Sequence, residues 1–95
     1  MRPRRKIMNG YLEVIRMLVL HPELASERLR TTLMLRTADF VADQPLDIRL
    51  VILSYYFKAE SWMAATSKIG ATNSADYVTL LYDACSKWDK NHVLI

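Results

Sequence analysis

The chain has 95 residues, of which 52% are hydrophobic, with two glycines, three prolines and a formal net charge of +3. That is the size of one small domain. It is too poor in turn residues for a β-rich fold, and no apolar run approaches the length a membrane span needs. A domain this small covers only a modest share of its own surface, so the many Leu, Met, Tyr and Trp residues also point to apolar surface meant for a partner.

The net charge is unevenly placed. Arg2, Arg4, Arg5 and Lys6 crowd the first six positions, and without them the chain holds nine basic and ten acidic residues. The reading is a basic arm over 1–6, solvated and disordered, ahead of a near-neutral helical domain over 7–95. A strongly basic body would signal nucleic acid, and this body is not basic. Cys85 is the single cysteine, which excludes an internal disulfide and fits a reducing compartment. The start has no apolar stretch of the secretory kind, so the expectation is a cytoplasmic protein.

The elements in order predict an all-α fold of about five short helices packed as antiparallel hairpins. The first runs over Ile7–Leu20, with an apolar stripe of Met8, Tyr11, Leu12, Ile15, Leu18 and Val19. Asn9, Glu13 and Arg16 are expected to face out. His21-Pro22 stops it, because the residue before a proline is pushed out of the α region. A second helix is expected over Glu23–Ala42, with Arg28, Arg30 and Arg36 solvating its outer side.

The third is expected over Leu46–Lys58 and is apolar almost all round, so it must be covered on most sides. The fourth, over Ser61–Ile69, has Ala64 and Ala65 in its middle, small enough for another helix to come close. Gly70 suits its C-cap. The stretch 45–70 is thus expected to be the centre of the fold. The polar run Ala71-Thr72-Asn73-Ser74 leads to a fifth helix over Ala75–Lys90. There Val78, Leu81, Tyr82, Cys85 and Trp88 form a stripe, and Asp83, Lys87, Asp89 and Lys90 are expected to face out. Val93-Leu94-Ile95 is an apolar tip.

A search for chemistry returns little. His21 and His92 are far apart and lack helical spacing to a second ligand, so neither a metal nor any other cofactor is expected. Cys85 lies on the buried stripe, where nothing nearby would lower its pKa. No glycine-rich phosphate loop exists and the acidic residues are scattered, so the chain does not read as an enzyme.

Two kinds of binding module remain. Laid on the 34-residue helix-pair pattern of tetratricopeptide repeats, residues 46–79 put Ile52, Leu53 and Tyr56 on inner positions of the first helix. Trp62 takes the aromatic position, Ala65 the small position where the helices cross, and Ile69 the large one after it. The pattern wants a small residue where Leu53 stands and often a proline where Tyr77 stands. An open inner face would carry Asp47, Leu50, Ser54, Phe57 and Lys58, a mixed surface suited to an amphipathic helix. The same residues also suit a plain bundle in which Leu50 and Phe57 are core.

The central stretch, with Leu50-Val51, Leu53, an Ala-rich second helix and Lys68-Ile69, resembles the small repeat-like chaperones of type III secretion systems. The resemblance covers about a quarter of the chain. It implies a non-enzymatic cytoplasmic chaperone that holds the C-terminal amphipathic helix of a needle subunit together with a small helical co-chaperone. Carried over by position, Leu50, Ser54, Phe57 and Lys58 would bind, with Asp47 at the rim.

The alternative is a helix-turn-helix DNA-binding regulator. Residues 62–88 look like the C-terminal region of sigma factors or a phage antiterminator, with the fifth helix reading DNA. Its front offers Ser74, Ala75, Asp76 and Thr79 and no Lys or Arg before Lys87, where phosphate contacts would want them.

Overall fold

The computed structural model describes residues 7–92, and those residues are helical with short connections and no strands. The basic arm and the apolar tip lie outside the described residues. Helix α1 is Ile7–Leu20, a 3-10 turn follows at Pro22–Leu24, and α2 is Glu27–Asp43. Helix α3 is Leu46–Ile52 and continues as a π-helical turn over Leu53–Phe57; α4 is Trp62–Ser67 and α5 is Ser74–His92. The fold is all-α.

The second helix starts later than its composition suggests. Pro22 does open a helical turn, but Ala25 is extended and Ser26 begins a new helix by accepting the Leu29 N–H at 3.2 Å. A serine cap three residues on outweighs the favourable charge of Glu23. Ser61 and Asn73 cap α4 and α5 in the same manner, accepting the N–H groups of Ala64 and Ala75. Gly70 ends the α4 unit in the left-handed conformation at φ +72, which a glycine adopts without a Cβ clash.

Helix α1 makes the most extensive contacts of any single element, and the 45–70 stretch meets α1, α2 and α5. Helix α1 packs against α2, the π-helical turn and α5. In a stacked repeat each unit touches only its neighbours; here the first helix meets the last, so the chain closes into a bundle. Met8, Leu12, Ile15 and Leu18 are all buried, as the spacing of α1 predicts. Met8 and Leu12 join Phe40, Val41, Ile48, Ile52, Tyr56, Leu81 and Cys85 in the main core, while Ile15 and Leu18 pack with Leu33 in a smaller one. Thr37 and Thr66 are buried too, each hydroxyl donating back to carbonyls of its own helix.

Several charged residues expected at the surface are instead fasteners between elements. Asp89 is buried, and its two carboxylate oxygens accept the Ile7 and Met8 N–H groups at 3.1 Å each. The last helix thereby caps the first, placing negative charge at the positive end of the α1 dipole. Arg16 donates through Nη1 to the carbonyls of Tyr55 (2.6 Å) and Glu60 (2.8 Å). Arg30 donates to Pro22 and Ala25, holding the 3-10 turn, and Arg49 donates to Ala42 and Gln44, holding the α2–α3 corner. Three connections are thus each closed by one arginine on two carbonyls. A helix C-terminus leaves carbonyls without partners, and a planar guanidinium with several donors can take two of them at once.

The π-helical turn explains the Arg16 contact. Lys58 N–H reaches back five residues to Leu53 and Glu60 N–H six residues to Ser54, both at 3.0 Å. The 6→1 bond of an ordinary Schellman closure spans five residues, one fewer than the Glu60 closure. The widened turn leaves the Tyr55 carbonyl for Arg16. Ala59 completes the turn at φ +56, a left-handed conformation that costs a residue with a Cβ about 1–2 kcal/mol.

Candidate functional site

The five residues singled out for partner binding do not share one open face. Leu50 and Lys58 are exposed, Asp47 and Phe57 are half-buried, and Ser54 is buried. Phe57 packs against both cores, which takes it away from a groove. Asp47 accepts the Ile48 N–H at 2.8 Å with one oxygen and the Tyr77 hydroxyl at 3.1 Å with the other. That bond to Asp47, ahead of burial, raises the Tyr77 phenol above its ordinary value.

Two other regions stand out. The first is the outer side of α1. Its sequence carries only Glu13 and Arg16 as charges, so it is apolar beyond its buried stripe. Val14, Met17 and Leu20, spaced by three, are 37%, 43% and 51% exposed, and Leu24 follows in the 3-10 turn. Gly10 lies on the same side, and a Cβ built there would meet nothing within 4 Å. Helical periodicity marks the buried stripe of α1 and is silent about this second one, since an apolar residue opposite the core reads as noise in a moment.

The second region is a cleft of about 330 Å³ between α1, the π-helical turn, α4 and α5. Asn9 and Glu13 come from α1, Tyr55 and Tyr56 from the π-helical turn, Trp62 from α4, and Tyr82 from α5, with aliphatic surface from Val78 and Leu81. The rings are ordered against each other. Tyr55 meets Tyr56 edge to face at 4.8 Å between centroids and Trp62 at 5.1 Å. The indole N–H of Trp62 donates to the Ser74 carbonyl at 2.8 Å, which ties α4 to the start of α5. The Tyr56 hydroxyl donates to Glu13 at 3.5 Å. Burial first, and then the Glu13 charge, raise the Tyr56 phenol, so it stays a hydrogen-bond donor at neutral pH.

Arg16 lies beside this cluster, its guanidinium carbon 4.0 Å from the centre of the Tyr55 ring. An aromatic face and two carbonyls thus fix one cation within the fold. The sequence reading missed the cleft because its members are spread from Asn9 to Tyr82. The run Tyr55-Tyr56 followed by Trp62 is the local signal of it.

Cys85 is buried, and burial, then the Asp89 carboxylate, push its thiol up to about 12, so it is protonated at neutral pH. Among the described residues no group of three His, Cys, Asp or Glu side chains could hold a metal ion. His21 pairs with Glu23 at 3.7 Å at the surface, and His92 stacks on Trp88. Among the described residues no helix is long and apolar enough to cross a membrane. Comparison of the chain with family models, with curated proteins and with solved structures finds no match.

Proposed function

We propose that this chain is a non-enzymatic protein-binding module that shelters an amphipathic helix of another protein against the outer side of α1. The observation that carries the reading is the second apolar stripe, Val14, Met17 and Leu20, exposed on a helix whose opposite stripe already fills the core. A helix with a second apolar stripe beyond the one in the core needs cover for both. From Gly10 to Leu20 is about 15 Å at the helical rise, room for roughly three turns of a partner helix. Gly10 adds a side-chain-free notch where a partner side chain fits.

The resemblance in the central stretch names the finer version: a chaperone that keeps a type III secretion needle subunit from assembling in the cytoplasm. Burying one amphipathic helix removes several hundred Å² of apolar surface, roughly 5–10 kcal/mol before association costs. The DNA-reading alternative draws no support from α5, whose first three turns carry Asp76 and no cation.

The test is co-expression of the full chain with a candidate needle subunit, followed by size exclusion. A complex is expected that Met17→Asp abolishes while the helix content of the variant is unchanged. A chain that elutes alone, or a complex indifferent to Met17→Asp in a folded variant, overturns the reading.

A further inference from the structure

We propose that, when no other protein occupies it, the outer side of α1 is covered by the same face of a second copy of this chain, in an antiparallel pair about a twofold axis. This pairing rests on the reading of that side as a docking face and names what docks there. Gly10 carries the inference. It stands inside α1 without a left-handed φ, so the backbone does not call for a glycine there. Among the described residues nothing lies within 4 Å of a Cβ built at Gly10, so packing within the fold does not call for one either. A glycine inside a helix weakens it, and its other use is to let a second chain come close. Gly10, Val14 and Met17 follow one another at spacings of four and three on one face, with Leu20 beside them.

That face is complementary to itself in one direction. Gly10 and Leu20 lie equally far from Ile15, about 7.5 Å along the axis on either side. A twofold axis level with Ile15 therefore sets Gly10 of each copy level with Leu20 of the other, and Val14 close to the level of Met17. A leucine then fills the notch that a glycine leaves, at both ends of one isologous contact. A parallel pair sets glycine against glycine and leucine against leucine, with a void at one end and crowding at the other. The two charges of α1 are engaged away from the contact: Glu13 accepts the Tyr56 hydroxyl, and Arg16 donates to the Tyr55 and Glu60 carbonyls. Val14, Met17, Leu20 and Leu24 are 37%, 43%, 51% and 60% exposed. Together they leave on the order of 300 Å² of apolar surface per copy. Covering both copies, with the flanking atoms, buries roughly 1,000 Å², the lower limit for a specific contact. The pair is therefore weak, with a dissociation constant on the order of 10–100 μM, and yields the face to a partner helix that binds more tightly.

The experiment is sedimentation equilibrium of the full chain alone, from about 5 μM to about 1 mM. A monomer–dimer equilibrium is expected, and Met17→Asp is expected to weaken it at least about tenfold. Gly10→Leu is the sharper variant. The fold has room for the side chain and leucine is the better helix former, so the melting midpoint in dilute solution should hold or rise. Its dimer should nonetheless weaken about tenfold, because Leu20 of the other copy loses its notch. Direction is read by oxidising an equimolar mixture of Gly10→Cys and Leu20→Cys chains. The mixed disulfide is expected to exceed the link between two Gly10→Cys chains, whose thiols stand about 15 Å apart along the axis of the antiparallel pair. Predominance of that self-link would show a parallel pair. A chain monomeric up to about 1 mM, or a dimer indifferent to Gly10→Leu or to Met17→Asp, would show that this face does not pair with itself; each of these results overturns the proposal. If a chain that never dimerises still forms a complex that Met17→Asp abolishes, the docking face stands and the pairing alone falls.

Discussion

The Asp89 junction and the Arg16 junction solve the same problem at opposite poles of a helix. At the first, a carboxylate on α5 accepts two N–H groups at the start of α1. At the second, a guanidinium on α1 donates to one carbonyl within the π-helical turn and one just beyond it. Each matches its sign to the local helix end, negative at the N-terminus and positive at the C-terminus. They differ in solvent. Asp89 is buried, whereas Arg16 keeps part of its surface in water and shares its charge with the Tyr55 ring. A small bundle with short helices has many orphaned backbone groups for its size, and this one covers them with long-range charged side chains as well as local caps.

That contrast predicts unequal losses. Asp89→Ala removes a buried acceptor of two N–H groups and leaves them facing a void, at a cost of about 2–3 kcal/mol. In a domain of this length each kcal/mol moves the melting midpoint by about 4–8 °C. The melt should therefore fall by roughly 10–20 °C, read by circular dichroism. Asp89→Asn keeps an acceptor without the charge and should lose about half as much. Equal stability of all three proteins would break the view that α5 closes the chain onto α1.

Arg16→Ala should cost less, about 1–2 kcal/mol, because water can reach part of the vacated site. Its signature is local. Amide exchange of Lys58 and Glu60, whose N–H groups close the widened turn, should accelerate, while exchange in α2 stays unchanged. Arg16→Lys supplies charge without the planar fork and should recover only part of the loss. Full recovery would show that charge alone matters at this junction and would remove the geometric half of the comparison.

These two residues also mark where sequence reasoning reaches and where it stops. The buried stripe of α1 was legible because Met8, Leu12, Ile15 and Leu18 recur at helical spacing, and that spacing is a property of one element. Gly70 was legible because a left-handed C-cap has few other occupants. Asp89 and Arg16 lie on polar positions of their own helices, so local pattern assigns them to water. Their partners are 82 residues away for Ile7 and 39 for Tyr55, and only tertiary packing brings those backbone groups within reach. The late start of α2 was missed for a nearer reason: Ser26 competes with Pro22 as a helix start, and the cap prevails. The aromatic cleft was hidden in the same way as the junctions, since Glu13, Tyr56, Trp62 and Tyr82 have no shared period. The candidate groove failed to assemble because the π-helical turn packs Phe57 against the cores and Ser54 is buried.

The smallest effect sharpens the comparison from the exposed side. Lys68 at the end of α4 donates to both oxygens of Glu60, the residue whose carbonyl Arg16 holds. Glu60 is thus engaged twice, by its backbone in the Arg16 junction and by its side chain in a surface ion pair. The Lys68 hydrogen bond, as the largest cause, holds the Glu60 carboxyl below its usual value. A depressed carboxyl means that the unfolded chain binds the proton more readily. The stabilisation is therefore complete above the ordinary glutamate range and fades as pH falls through the lowered native value. Lys68→Met should flatten the acid limb of stability against pH, and salt should erase the difference between the two proteins, as expected of an exposed pair. Arg16→Ala should leave that limb in place, because a backbone carbonyl does not titrate. If instead Arg16→Ala flattened the acid limb as Lys68→Met does, the two engagements of Glu60 would be one coupled unit, and the Arg16 junction would owe its strength to charge at the surface rather than to closure of the turn.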